Sequence, residues 1–313
     1  MSTRKSESSA PAGEHDAENR PPPVGSGATH DEEPGAADSL VEEAAQALEE
    51  VGGFSVRLIT APVIGVIAYF GEVVALFGQA LRSLLTRGVH GGDLVRQLSV
   101  IGAESIPISL LTVGFTGAIL ALYTADTLRT YGAADLVGGV VALSIVRETG
   151  PILVAVSIAA RAGSAITAEI ASMKVTEQID ALRSMAISPV EYLVVPRLLA
   201  SLIMLPLVCI CADAAGVWGG AIVASGFDVS FSMYVNSIRQ MMETDGSDIT
   251  QGLLKTVVFG VIIALVGCRE GLETSGGATG VGQSTTRSVV IAIVLIFIAD
   301  FILSFLMKSG NLL

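Results

Sequence analysis

Long apolar runs alternate with short polar joints along most of this chain. A helix that crosses a bilayer needs about 20 mostly apolar residues, and five segments qualify: 98–123, 136–160, 198–225, 252–267 extended at its start, and 289–307. Each must be helical, because a lipid-exposed backbone has to satisfy its own hydrogen bonds. An earlier apolar stretch, 59–85, is interrupted by Glu72. If it crossed, Arg57 would be separated from Arg82, Arg87 and Arg96; an in-plane or re-entrant elbow keeps all four on one face. The pattern predicts an all-α integral membrane protein, with an N-terminal amphipathic or re-entrant elbow, five transmembrane helices and a polar helical insert.

The insert, 161–197, lies between the second and third apolar runs. Val175, Ile179, Leu182 and Ala186 recur at spacings of four, three and four, which aligns them on one stripe of a helix that Pro189 would stop. Glu169, Ser172, Thr176, Asp180 and Arg183 follow a polar stripe beside it. Such a helix can rest its apolar side on helix ends and present its polar side to a soluble partner. A solvated connector with no partner has the same spacing.

Hydrophobic residues make up 51% of the 313 and charged residues 15%, with a mean hydropathy of +0.66, which places the chain among membrane proteins. The formal charge of -12 is uneven: residues 1–50 hold twelve Asp and Glu against Arg4, Lys5 and Arg20, leaving -3 for the rest. That acidic segment, with Pro21, Pro22 and Pro23, has too few large apolar side chains to offset its ordering entropy, so 1–37 is expected to be disordered. Ser39 and Glu42 make a capping box for a short helix that Gly52 and Gly53 end. The organisation expected is therefore an acidic cytoplasmic tail (1–50), interfacial or elbow helices (51–97) and a domain of five transmembrane helices (98–313).

Charge placement sets the orientation. With a cytoplasmic start, ten Arg and Lys residues collect inside, while Arg129, Arg239, Lys255 and Lys308 face out, and the loop 227–251 and the C-terminus are external. Cys209, Cys211 and Cys268 lie in apolar stretches as small hydrophobes, and His15, His30 and His90 make no cluster, so no metal site is expected. Gly216 and Gly220 have the spacing that lets two helix backbones approach, within one chain or between subunits.

Arg147 and Glu148 interrupt the second apolar run just before Gly150 and Pro151. Charges at that depth cost about 3 kcal/mol each on insertion scales, so they must face a cavity or a neighbouring helix. Glu104, Asp213 and Asp300 are single acids in other spans, with the same choice. No glycine-rich phosphate loop ending in Gly-Lys followed by Ser or Thr is present, and no Gly-x-Ser-x-Gly elbow. Any work on a substrate must draw energy from another subunit or from an ion gradient. An ion-coupled secondary transporter using Glu148, Asp213 and Asp300 therefore stands beside a permease powered by a partner, and beside a scaffold whose active part is the acidic tail.

Three motifs in order, LSIVRETGPILVAVSIAARAG, the insert 161–197, and GLETSGGATGVGQSTTRSVV, resemble the MlaE family of ABC permeases, the YrbE-like membrane subunits of Mla/Mce-type phospholipid transporters. The likeness runs from about residue 55 to the C-terminus; the acidic tail has no counterpart. It implies the MlaE-type permease fold and a non-catalytic homodimer in the bacterial inner membrane, with a cytoplasmic N-terminus and a periplasmic C-terminus. It also implies cytoplasmic ATPase subunits, a periplasmic hexamer of MCE-domain (MlaD-like) proteins, phospholipid cargo for outer-membrane lipid homeostasis, and no nucleic-acid partner. The chain would bind no cofactor itself, ATP being used by the partner. The insert would hold the coupling helix, with Glu169, Lys174, Glu177, Asp180 and Arg183 as ATPase contacts, and Glu148 would face or support the lipid cavity or else brace two helices; Arg147, Glu104 and Asp213 are cavity candidates by their place in the spans alone.

Overall fold

A computed structural model of the chain describes residues 67–86, 91–244 and 247–309. The acidic segment 1–50, the capping box at Ser39 and Glu42, Arg57, Arg87, Asp245 and Leu313 lie outside the described residues.

Among the described residues every regular element is a helix. The first, α1, covers 67–86. It is followed by α2 (Gly91–Ile101), α3 (Ile106–Thr130), α4 (Val137–Ser144), α5 (Gly150–Ile158), α6 (Ser164–Val175) and α7 (Gln178–Ser184). Then come α8 (Val195–Ala224), α9 (Phe231–Thr244), α10 (Ser247–Leu272) and α11 (Gly277–Ser309). Among the described residues five continuous helical stretches are long and apolar enough to span a membrane: Gly91–Thr130, Ala134–Val175, Val190–Phe227, Ser247–Leu272 and Gly277–Ser309. They contain the five apolar runs of the sequence but are longer, because helix propagates through polar residues once packing holds both sides. Ala134–Val175 has 42 residues. At ~1.5 Å per residue it reaches about 60 Å, twice the hydrocarbon thickness, so one end must project from the bilayer.

Three stretches widen to π-helical turns: Ile145–Thr149 and Ala159–Gly163 within the second span, and Val190–Val194 at the start of the third. The first two carry Arg147, Glu148 and Arg161, three of the six charged residues of that span, the others being Asp135, Glu169 and Lys174 near its ends. A π turn inserts one residue into the helical register and is frequent at functional sites.

The third span is the hub: α8 packs against α2, α3, α4, α5 and α10. The crossing of α3 and α8 runs through glycines, and a Cβ on Gly117 would collide with the backbone of Gly216. The small residues of α8 therefore serve contact within this chain. Ile101, Ile145, Ile158, Leu205, Phe259 and Ile263 fill the interior. Leu111, Phe115, Ile119, Leu207, Ile210, Phe297 and Phe301 stay exposed as an apolar belt, the expected surface toward acyl chains.

The 176–189 connection marks one end of the bundle. Thr167 Oγ1 bonds Gly267 O at 3.2 Å and Ser288 Oγ at 2.8 Å, which puts the C-terminal part of α10 and the start of α11 at that same connector end. At the opposite end α9 packs on α4, and Tyr234 Oη donates to Val217 O at 3.3 Å. Burial pushes the Tyr234 phenol up to about 12. Helix α1 meets the connector end: Glu72 takes Arg269 of α10 at 2.5 Å, and the Arg269 guanidinium lies 4.3 Å from the Tyr69 ring centroid.

Candidate functional site

Lys255 is 1% exposed, held in the interior by a shell of oxygens. Its Nζ lies 2.6 Å from Glu148 Oε2, 3.0 Å from Asp300 Oδ1, 2.7 Å from Ser304 Oγ and 3.3 Å from the Arg147 carbonyl. Ser304 Oγ donates to Glu148 Oε1 at 3.1 Å, closing the ring. Three spans contribute: the first π turn sets Glu148, α10 sets Lys255, and Asp300 and Ser304 stand one helical turn apart on α11. Beside the ring Arg147 Nη1 reaches the buried Asp248 at 3.4 Å.

A buried ammonium without partners costs several kcal/mol, and the two acids supply the partners Lys255 needs at that depth. The cluster is not sealed: the Glu148 side chain keeps 41% of its surface exposed. A carboxylate open at that position along an apolar span needs a water-lined cavity or a polar ligand next to it.

Lys255 corrects the expectation that it belongs to the outward-facing cations. Its helix begins at Ser247, so the residue falls two turns inside rather than at the edge of an apolar window. The other acids also have partners. Arg161 binds Glu104 at 3.0 Å and Ser105 Oγ at 3.0 Å, and its second terminal nitrogen contacts the Val100 carbonyl. Asp213 accepts from the Cys209 thiol at 3.3 Å, beside Gly150, where a Cβ would strike its carboxylate. Arg147 and Glu148 thus join one polar assembly, whereas Glu104 and Asp213 each sit in a contact of their own. Sequence reasoning missed Lys255, Ser304 and Asp248; the available signal was the pairing of a lone Lys with the Asp300 and Ser304 spacing of four.

The insert does not form one helix. Helix α6 ends at Val175, Thr176 and Glu177 close its last turn onto Ser172 O and Lys174 O, and Glu177 takes a left-handed φ of 60°. Helix α7 then restarts, with Ala181 N bonding Glu177 O, and stops at Ser184, five residues before Pro189. The stripe expected from Val175 to Ala186 is therefore split; Ile179 is fully buried as the anchor and Ala186 lies beyond the helix at φ 59°. On the exposed side Asp180 holds Arg183 at 3.1 Å and Lys174 at 3.8 Å, with Glu177 open at the break. Glu169 plays a different part: it binds the buried Arg197 at 2.6 Å and Arg96 at 3.5 Å, and Arg197 also caps Leu193 O at 2.7 Å. That triad ties α6, α8 and α2 together at the root of the connector.

Among the described residues no group of His, Cys, Asp and Glu could hold a metal ion.

The family described as Permease MlaE matches residues 94–306. A probable ABC transporter permease protein of Synechocystis sp. is 42% identical over 247 residues, covering 78% of this chain and 93% of that protein. One from Rickettsia prowazekii is 37% identical over 240 residues, covering 75% and 92%. The chloroplastic protein TRIGALACTOSYLDIACYLGLYCEROL 1 of Arabidopsis thaliana is 34% identical over 240 residues, covering 76% and 68%. The matched region contains the Glu148, Lys255 and Asp300 ring and the whole connector, and the chain belongs to the MlaE family of ABC transporter permeases.

Proposed function

We infer that this permease moves phospholipid between a bacterial inner membrane and a periplasmic MCE-domain carrier, as a homodimer driven by cytoplasmic ATPase subunits. The observation that carries the reading is the half-open Glu148, neutralised from within by Lys255 and exposed along an apolar span. An outward-opening cleft between two subunits would wet that carboxylate, while the apolar belt around it accepts acyl chains. The name of the Arabidopsis relative is itself that of a diacylglycerol lipid, which agrees with lipid cargo.

Docking of the ATPase is assigned to the exposed side of α7, with Asp180, Arg183, Lys174 and Glu177 forming the charged contact. Glu169 acts behind them as a brace through Arg197 and Arg96. In this orientation the connector and the N-terminus are cytoplasmic and the C-terminus is periplasmic. The ion-coupled reading is not carried forward: Lys255 supplies an internal cation to Glu148 and Asp300, so neither acid needs a transported one.

The test is purification of the chain with its co-encoded subunits, followed by extraction of bound material. Recovery of an ATPase chain and of phospholipid above the detergent background is expected. Purification with neither would contradict the assignment.

A further inference from the structure

Two cavities at the connector end share residues and differ in chemistry. The first, about 300 Å³, is polar, and Arg269, Glu270, Glu273, Gln283, Ser284 and Arg287 line it. The second, about 710 Å³, is an open, mostly apolar groove along one face of α11 over Gly282, Val290 and Ile291. Gln283 and Arg287 border both. A Cβ on Gly282 would meet nothing within 4 Å, so the cleft floor is open there.

The charges are arranged in a definite order. Glu270, only 3% exposed, receives Arg269 at 2.6 Å and Arg287 at 3.3 Å through its two oxygens and fixes both guanidinium groups. Arg287 engages Glu270 through Nε and keeps 62% of its side chain exposed, leaving its outer fork available. Glu273, one turn beyond Glu270, is exposed and makes no ion pair among the described residues. The polar cavity thus offers two cations and two carboxylates, one of each open to a ligand. A balanced pair suits a zwitterion better than an anion.

We propose that this joined pair of cavities binds a zwitterionic phospholipid with a primary ammonium headgroup: phosphate on Arg287, ammonium on Glu273, and one acyl chain along Gly282, Val290 and Ile291. A quaternary ammonium has no N–H to donate to Glu273, and a glycerol headgroup has no cation, so phosphatidylethanolamine is selected over phosphatidylcholine and phosphatidylglycerol. The site lies at the opposite end of the bundle from the Lys255 ring. Its role as a point of cargo entry or exit on the cytoplasmic leaflet rests on the transport reading above; the binding itself does not.

The test uses the full-length chain in nanodiscs with a phosphatidylethanolamine bearing a photoreactive acyl chain, competed by each unlabelled lipid. Cross-links should map to 279–291, and phosphatidylethanolamine should compete about tenfold better than the other two, the value of one charge-assisted hydrogen bond. In E273Q the preference should fall to within about twofold, and in R287Q cross-linking at this face should drop for all three lipids. Because Glu273 makes no ion pair among the described residues, E273Q keeps the test decisive even if R287Q fails to fold. Equal competition by the three lipids, an unchanged preference in E273Q, or capture of 279–291 by a second copy of the chain would overturn the site. Lost ATP-driven transfer with the headgroup preference intact would overturn the transport reading and leave this site standing.

Discussion

Lys255 Nζ and Glu148 Oε2 stand 2.6 Å apart although 107 residues separate them in the chain. Their contact, completed by Asp300, joins the second, fourth and fifth spans at one point inside the bundle. Removing the cation leaves two acids facing each other in a low-dielectric setting, which costs about 3–5 kcal/mol. K255M should therefore unfold at markedly lower temperature in detergent. K255M combined with D300N should recover part of the loss, because one uncompensated charge is then gone. Thermal unfolding followed by a tryptophan or thiol probe reads both.

Glu148 should separate from Lys255 in its effects. Its carboxylate is exposed on one side and Asp300 still faces Lys255 without it, so E148Q should destabilise the fold less than K255M, by about 1–3 kcal/mol, while cutting lipid transfer more steeply. Measuring transfer and stability on the same preparations checks the distinction; equal losses in both would reduce Glu148 to a structural partner.

The connector divides into a face and a root. Asp180 is exposed and its pairs with Arg183 and Lys174 are surface pairs, worth no more than about 1 kcal/mol. D180K should leave membrane insertion and thermal stability unchanged and abolish ATPase co-purification. E177K should weaken it in the same direction.

Arg197 sits at the root, with 4% of its side chain exposed, and holds Glu169. R197M should uncouple ATP hydrolysis from lipid transfer while the ATPase stays bound, since the docking face is intact but its tie to α8 is lost. The charge-swapped pair E169R with R197E should restore part of the coupling, which a simple loss of packing would not allow.

Gly117 and Gly216 make a backbone crossing in which a Cβ has no space. G117V should destabilise the α3 and α8 pair by about 1–3 kcal/mol through overpacking, measurable as reduced yield and a lower unfolding temperature.

The spans were legible because their signal is local: a run of Leu, Ile, Val and Ala over twenty residues needs no partner to be recognised. The charges inside them were only half legible. Arg147 and Glu148 declare themselves as misfits in an apolar run, but their partners come from helices about a hundred residues further on, and no periodicity connects them. Lys255 looked external because it adjoins the polar start of a short apolar window; the helix that buries it begins at Ser247. The connector was misjudged for a different reason. The spacing of Val175, Ile179 and Leu182 satisfies a helical stripe, yet Glu177 adopts a left-handed conformation with no glycine to announce it. Glu169 lies on the same polar stripe as Asp180, but the buried Arg197 draws it into the bundle, which only the tertiary fold decides.

The most direct measurement is ATP-driven transfer of labelled phospholipid by the chain reconstituted with its ATPase and carrier, comparing wild type with D180K. Transfer that requires ATP and disappears in D180K, with the protein folded and inserted, is the predicted result. Transfer that proceeds without ATP, or that survives D180K undiminished, would contradict the account.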